Sequence, residues 1–489
     1  MKNTTLLFPG FHLQTLRKKP RSAQQVLAQK LAQIKNKSLT QLSECFSEFI
    51  PDKYLRPSST GPLSRRRLFS KDNIFWGFLA QVLDADGGCQ EVVRKFQAVA
   101  ALKSMKAPSS STAAYCKARK KLDESELEVI LNYTALLTHQ PPSITPLTDR
   151  RVIVVDGTGV SMPDTEENQS EWPQPSGQAE GCGFPLATIC ACFNLQSGAL
   201  LSYKLGSKKS SELPLLRQQW NTFKKDDIFL GDKGFCSYFD VSSFKDRGVD
   251  SVITLARRLP ATETTSLKAL GENDLLIKWD KPKFSKNLSY SLEDWKNLPE
   301  KLVLRQIKVV VQQAGFRVKE FYIVTTLLDA KKYSAKQIAD LYFQRWDVEL
   351  FFRDIKTTMG MDILCCNTPS LVRKEILMYF IAYNCIRRLM IDAIKRKGTS
   401  HCRVSFKGSI QAVRQWESHL HQININKEQR EQLLVALYSA ITSYIVPDRP
   451  GRREPRCRKR RPKTFQLLTK PRHKMVEIPH RSRYRAKQA

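Results

Sequence analysis

Tyr342, Arg345, Glu349 and Lys356 follow one another at offsets of three, seven and fourteen residues. At about 100° per residue these four fall within about 60° of one another on a helix, and Arg353 joins the edge of the stripe. The other directions are apolar: Leu341, Phe343, Trp346, Val348, Leu350, Phe351, Phe352 and Ile355. The pattern predicts one long helix from about Ala335. Ser334 and Gln337 form its capping box, and Gly360 stands at its C-terminal end. It should be mostly buried, with one narrow polar face. A carboxylate held among three cations and a phenol has two readings. Glu349 pairs internally with Arg345 or Arg353, or the excess of cations receives a phosphate. On the second reading, removing Arg345 or Lys356 relieves repulsion in the empty protein.

Two aspartates carry the same theme. Arg151-Val-Ile-Val-Val-Asp156 is a β-branched run that reads as a buried strand ending on Asp156, followed by Gly157-Thr158-Gly159. Asp227-Ile-Phe-Leu-Gly-Asp232 reads as another strand, again ending on an aspartate. Singly, an Asp at a strand end is an ordinary turn residue. If the two strands are neighbours, their ends bring Asp156 and Asp232 together, and a helix across the sheet adds Glu349. Three carboxylates suit Mg²⁺, a hard cation that takes oxygen ligands and keeps positions open for phosphate and water.

The elements needed to position these groups are legible around them. Pro185 to Phe193 and Ala199 to Leu205 read as a hairpin turning at Gly198. Glu212 to Phe223 and Tyr238 to Asp246 read as helices, and Ser251 to Ala256 as a further strand. From 257 to 328 the alternation stops, and Leu275–Trp279, Leu302–Gln312 and Phe316–Thr326 are strand-like. Upstream, Gln24–Ile34, Asp72–Leu83 (with Asp72 as cap), Gln90–Lys103 and a run holding Ala114, Lys117, Arg119, Lys120 and Lys121 read as helices. Short helices with cations on the last suit a DNA-binding unit or a plain bundle with a wet basic face. The expected division is a basic region 1–68, helical domain 69–148, α/β core 149–256, β-rich insertion 257–328, core with the long helix 329–400, and helices with a basic tail 401–489.

The chain has 489 residues and a net charge of +33. Residues 1–72 hold 14 Lys/Arg against 4 Asp/Glu, and residues 448–489 hold 16 against 3. Basic ends on a centre of near-average composition predict a polyanionic partner, because each neutralised phosphate releases counterions. No apolar run approaches the roughly 20 residues that span a bilayer, and the N-terminus lacks a signal-peptide pattern. The chain therefore reads as cytoplasmic with no membrane partner. Its 12 cysteines include no Cys-x-x-Cys, so they read as reduced thiols and not as zinc ligands. No Walker-type loop is present.

Tyr342-x-x-Arg345-x-x-x-Glu349-x₆-Lys356, Val155-Asp156-Gly157-Thr158 and Leu230-Gly231-Asp232-Lys233-Gly234-Phe235 occur in that order. With them, residues from about 70 to 465 resemble the DDE transposases of bacterial insertion sequences, of the insertion-sequence-four group. The resemblance implies an RNase H-like core with a β-rich insertion, preceded by an α-helical DNA-binding domain. It implies Asp156, Asp232 and Glu349 as catalytic, metal-binding triad, with two Mg²⁺ ions that Mn²⁺ can replace. Tyr342, Arg345 and Lys356, with Arg353 beside them, would contact DNA phosphates at the transposon end. Phe321 and Tyr322 are candidates for the aromatic that takes the place of a flipped base. Trp279 and Trp295 are rivals, and a plain alternating strand is the alternative. The implied partners are double-stranded DNA, as terminal inverted repeats and target, and a second copy on paired ends. The implied reaction is cleavage and strand transfer. A non-cutting regulator derived from a transposase, or an RNase H-like nuclease, are the competing functions.

Overall fold

The structure is a computed structural model. It describes residues 45–475 apart from several short stretches and the longer ones at 139–149, 312–318 and 448–467. The expected helix Gln24–Ile34 and most of the basic tail lie outside the described residues.

Four helices come first: α1 (Lys71–Leu83), α2 (Cys89–Leu102), α3 (Ala113–Arg119) and α4 (Glu124–Thr138). The N-cap of α1 is Ser70 and not Asp72, which lies inside the first turn. An acid there still suits the positive helix end. Nearly all of α1 is buried, including Phe75, Trp76 and Phe78. Gln81 ties the group together: its Oε1 accepts from Tyr115 Oη at 2.9 Å and Arg119 Nη1 at 2.8 Å.

The centre is one nine-stranded sheet in the order β3-β2-β1-β4-β5-β9-β8-β7-β6. Its strands are β1 (Val152–Ser161), β2 (Leu186–Asn194), β3 (Leu200–Ser207), β4 (Ile228–Gly231), β5 (Asp250–Leu255), β6 (Thr264–Gly271), β7 (Asp274–Asp280), β8 (Lys301–Val311) and β9 (Lys319–Thr325). β1, β2 and β3 are antiparallel, while β1, β4 and β5 are parallel. A three-strand meander continued by two parallel strands is the RNase H-like arrangement. The β2–β3 turn uses Gly198 at φ 69°, where other residues are strained. The strands of 257–328 extend this same sheet, because β9 pairs antiparallel with both β5 and β8. β6 escaped the sequence reading because almost every residue in it is exposed and it shows no alternation.

Helices cover both faces. Ile153, Val155 and Phe229 pack under α6 (Glu212–Arg217) and α7 (Tyr238–Asp246), the short α5 (Glu166–Glu171) lying in the β1–β2 loop. Val152, Val154 and Leu230 face the helical segment 335–358 and α11 (Pro369–Lys397). α11 starts with Pro369 at its first turn and ends at Gly398 in the left-handed region, a start and stop that fit a buried helix 29 residues long. It also packs against α4. Glu375 on α11 is buried. It accepts the N–H groups of Cys365 and Cys366 at 3.0–3.1 Å, pinning the chain that follows the helical segment 335–358. The remaining helices are α8 (Leu292–Asn297), α9 (Ala335–Phe343), α10 (Asp347–Arg353), α12 (Phe406–Leu420) and α13 (Lys427–Ser443). The described cysteines are all free thiols, and no helix among the described residues is long and apolar enough to cross a membrane.

Candidate active site

Asp156 does not end its strand. β1 runs on to Ser161 because β2 pairs with it as far as that residue. The parallel partner β4 stops earlier, its last register pair being Val154 with Leu230. Asp156 therefore lies two residues past the last pair with that neighbour, at a notch in the sheet. Asp232 follows the last residue of β4 and faces the same notch. Its Oδ1 accepts Gly234 N–H at 2.8 Å, which caps the 3₁₀ turn Lys233–Phe235. Asp156 Oδ1 likewise accepts the N–H of Gly157 at 2.8 Å. Both carboxylates are thus oriented by backbone donors close to themselves in sequence.

The segment after Ser334 departs from the expected single helix. Its capping box is as expected, Ser334 with Gln337. It then runs as α9, a 3₁₀ turn (Gln344–Trp346), α10 and a π turn (Asp354–Thr358). The 3₁₀ turn overwinds and the π turn underwinds, so angles taken from a uniform helix drift along it. Nor is the segment buried all round. Phe343, Trp346 and Leu350 are 42–52% exposed, and Glu349 is exposed as well. A run of apolar residues shows that a surface will be covered, not by what. Asp347 and Asp354 lie off the site, and Asp354 pairs with Arg387 at 2.8 Å.

Of the residues expected to act together, Asp156, Tyr342 and Arg345 meet directly. Tyr342 Oη and Thr254 Oγ1 are 2.7 Å apart. Arg345 Nε donates to Tyr342 Oη at 3.2 Å, and Arg345 Nη1 reaches Asp156 Oδ2 at 3.8 Å. The buried cation therefore leans on Asp156 and not on Glu349. Lys356 turns to β1 instead, donating to Gly159 O at 2.7 Å and Thr158 Oγ1 at 3.0 Å. Arg353 stays outside the group, 62% exposed, with only a 3.9 Å contact to Asp354. Phe321 on β9 packs against Tyr342 and Phe343, with ring centroids 5.6 and 6.1 Å apart. Tyr322, next along the strand, stands in register with Leu255 and Lys308. The rivals are engaged elsewhere: Trp279 is buried, and Trp295 Nε1 donates to Pro282 O. A cleft of about 520 Å³ joins Asp232, Lys233, Thr254, Phe321, Arg345 and Trp346. Trp346, whose place in the apolar run predicts a core position, sits on this cleft instead.

The electrostatics bind the carboxylates into one group. Burial pushes the Asp156 carboxyl up, and the charges of Asp232 and Glu349 push it further. Gly157 N–H and Arg345 oppose the rise. Burial also lowers Lys356, with Asp362 opposing. Among the described residues, no three His, Cys, Asp or Glu side chains are close enough to hold an ion as they stand. Asp156 nevertheless feels both other carboxylates, and like charges that share a low-dielectric notch are relieved by a cation. The donor set consists of oxygens alone, which fits a hard divalent ion and not a thiolate-seeking metal.

Residues 147–385 match the family described as the transposase DDE domain. The Escherichia coli K12 transposase InsG of insertion sequence element IS4 is 24% identical over 88% of this chain and 94% of its own length. A probable transposase of element IS5377 from Geobacillus stearothermophilus is 36% identical, over 18% of this chain and 22% of its own. A solved piggyBac transposase synaptic complex with hairpin DNA aligns with 84% of this chain and 87% of that one, at 11% identity and a TM-score of 0.40. The family match falls on the sheet, the notch and the helical segment after Ser334, and the IS4 relative is matched nearly end to end. The chain belongs to the DDE transposases, in the IS4 type, and acts as an enzyme of DNA transposition.

Proposed function

We propose that this transposase cuts DNA at the terminal inverted repeats of its own element and joins the freed ends to target DNA, as a homodimer on paired ends. The observation that carries the reading is the notch: Asp156 beyond the end of β4, Asp232 at that end, and Arg345 leaning in from the helical side. Asp156, Asp232 and Glu349 are the catalytic triad and would hold two Mg²⁺ ions, or Mn²⁺ in their place. Bound there, the metal supplies Lewis acidity and a more acidic attacking hydroxyl.

The chain's own side chains do the rest. Asp232 is held by Gly234 N–H, and Asp156 by Gly157 N–H, so neither has to reorganise during reaction. Arg345 is braced by Tyr342 and can turn from Asp156 to a phosphate oxygen. Lys356 spends two of its three N–H donors on β1 and keeps one for a phosphate. Arg353, exposed, meets the DNA backbone outside the cleft. Phe321 forms a wall of the cleft where an unstacked base would lie, with Tyr322 beside it. No protein nucleophile is used. Water attacks the end phosphodiester and expels a 3′-oxygen, which takes up a proton as the 3′-hydroxyl; that hydroxyl then attacks a target phosphodiester, forming the new P–O bond as the target strand's own 3′-oxygen leaves protonated. Residues 69–148 supply end binding, the basic ends 1–68 and 401–489 add backbone contacts, and the reaction takes place in the cytoplasm, on the nucleoid.

The test is incubation of the whole protein with a labelled duplex that carries the inverted repeat flanking its own coding DNA. Cleavage at the repeat boundary, dependent on Mg²⁺ or Mn²⁺, is expected. Binding to the repeat without cleavage under any divalent ion would favour a non-cutting regulator instead.

A further inference from the structure

Thr254 is a polar residue set into an apolar face. It lies on β5, where no motif marks it. Val252, two places before it, and Ile323, across from it on β9, belong to the core cluster that takes in Ile338 and Leu341 of α9. Thr254 is only 8% exposed, and a buried hydroxyl without a partner is costly. Its partner is Tyr342, with Oγ1 and Oη 2.7 Å apart.

That contact opens a chain of links into the notch. Tyr342 Oη accepts Arg345 Nε–H at 3.2 Å, and Arg345 Nη1 stands 3.8 Å from Asp156 Oδ2. An arginine can only donate, so at that contact the phenol oxygen is the acceptor. The phenol's own proton is left for Thr254 Oγ1, which the 2.7 Å separation suits. A phenolic O–H prefers the plane of its ring and so has two favoured directions. Thr254 selects the one that leaves a lone pair facing Arg345, and hydrogen bonds linked in this way strengthen one another. The other neighbours do not set this direction. The Arg345 guanidinium lies 5.2 Å from the centroid of the Trp346 ring and 5.8 Å from that of Tyr342, and cation–π attraction tolerates rotation. The Phe321 ring, 5.6 Å from that of Tyr342, packs the phenol in place but is apolar and cannot orient its proton.

We propose that Thr254 is a positioning residue for the cleavage reaction: by holding the Tyr342 hydroxyl, it keeps the Arg345 guanidinium aimed into the notch beside Asp156. The inference rests on the reading of that notch as the catalytic centre. Thr254 acts through Tyr342 and makes no contact with the reacting phosphate. An arginine aimed before the substrate arrives does not have to be ordered during the reaction, so the effect falls on the rate of cutting more than on the affinity for DNA.

Two readouts on the full chain test this. The first needs no cleavage. Phenylglyoxal labels arginines, and peptide mass spectrometry follows Arg345 in the DNA-free protein, with the exposed Arg353 as internal reference. Thr254→Val keeps the branched shape and loses the hydroxyl. It should label Arg345 about fivefold faster, the population shift that one lost hydrogen bond gives, as should Tyr342→Phe. Thr254→Ser should label like wild type, and Arg353 should not change in any of them. The second readout is single-turnover cleavage at saturating repeat duplex, beside the Kd for that duplex. Thr254→Val should cut about tenfold more slowly with Kd within about threefold, and Thr254→Ser should cut within about twofold of wild type. In a Tyr342→Phe background Thr254→Val should cost nothing more, since no hydroxyl remains to be oriented. Valine is a better strand former than serine, so a merely structural role predicts that cleavage follows the melting temperature, with valine ahead. That order, an Arg345 labelling rate unchanged by valine, or losses that add to those of Tyr342→Phe would each overturn the proposal. A wild-type protein that does not cut its ends sinks the proposed function, and the labelling still decides whether Thr254 holds Arg345.

Discussion

Lys356 offers the sharpest perturbation. Spacing alone put it in an excess of cations, which predicts that its removal stabilises the DNA-free protein. The structure reverses that sign. The Lys356 ammonium joins the π turn to β1 through Gly159 O at 2.7 Å and Thr158 Oγ1 at 3.0 Å. In Lys356→Met the stem stays and both acceptors lose their donor. Hydrogen bonds to a charged group are worth about 1.5–3 kcal/mol each. Relief from desolvating the ammonium, the burial that lowers its pKa, offsets part of that. A net loss of about 2 kcal/mol follows. For a unit of 150–250 residues this lowers the apparent melting temperature by roughly 4–8 °C. Tryptophan fluorescence melts of the whole protein read it out. A double-mutant cycle with Thr158→Val should show a coupling of about 1 kcal/mol, since the two side chains touch. Cleavage should fall at least about tenfold, the worth of one charge-assisted bond to phosphate. An unchanged melting temperature with zero coupling would refute the anchoring role.

Asp156→Asn should stabilise the metal-free protein at neutral pH. The folded pKa of Asp156 lies above its unfolded value, so its contribution is favourable below the ordinary carboxylate range and is lost as pH rises through the folded value. Urea melts should therefore show the variant ahead at pH 7.5 and the gap closing toward pH 4; a gap that widens in acid would contradict the assignment. Deleting 448–489 should flatten the salt dependence of binding to any duplex, because that tail carries 16 Lys/Arg against 3 Asp/Glu, and an unchanged slope would assign it another role. Arg345→Ala should lower the DNA-free melting temperature, since it removes a buried guanidinium that donates to Tyr342 Oη and faces Asp156, and should reduce cleavage at least about tenfold as well; a fall in melting temperature with cleavage retained would make it a structural ion pair alone.

The core was largely legible because its signals are local. The β-branched run 151–156, the hairpin around Gly198 and the helix Tyr238–Asp246 each announce themselves within a few residues. The order of the first five strands followed from them once β1 and β4 were taken as neighbours, whereas the continuation of the same sheet through β9, β8, β7 and β6 did not. What stayed hidden depends on partners distant in sequence. β6 is exposed and patternless, and only its pairing with β7 makes it a strand. Asp156 looked terminal because the β-branched run ends there, whereas the strand continues through Gly157 and Gly159 on the strength of β2. The uniform 100° wheel missed the 3₁₀ and π turns, and with them the outward exposure of Glu349 and Trp346. It also missed that Lys356 faces β1, since its partners Thr158 and Gly159 lie 198 and 197 residues away.

The most direct measurement compares end binding and Mg²⁺-dependent cleavage, on one labelled repeat duplex, for wild type and for Asp156→Asn, Asp232→Asn and Glu349→Gln. Each variant should bind the duplex within about threefold of wild type, because phosphate contacts and not the triad dominate affinity. Each should lose cleavage by at least about a thousandfold, the loss of roughly 4 kcal/mol of transition-state stabilisation. A variant that still cuts near the wild-type rate in Mg²⁺ would contradict the notch as the catalytic centre at that residue.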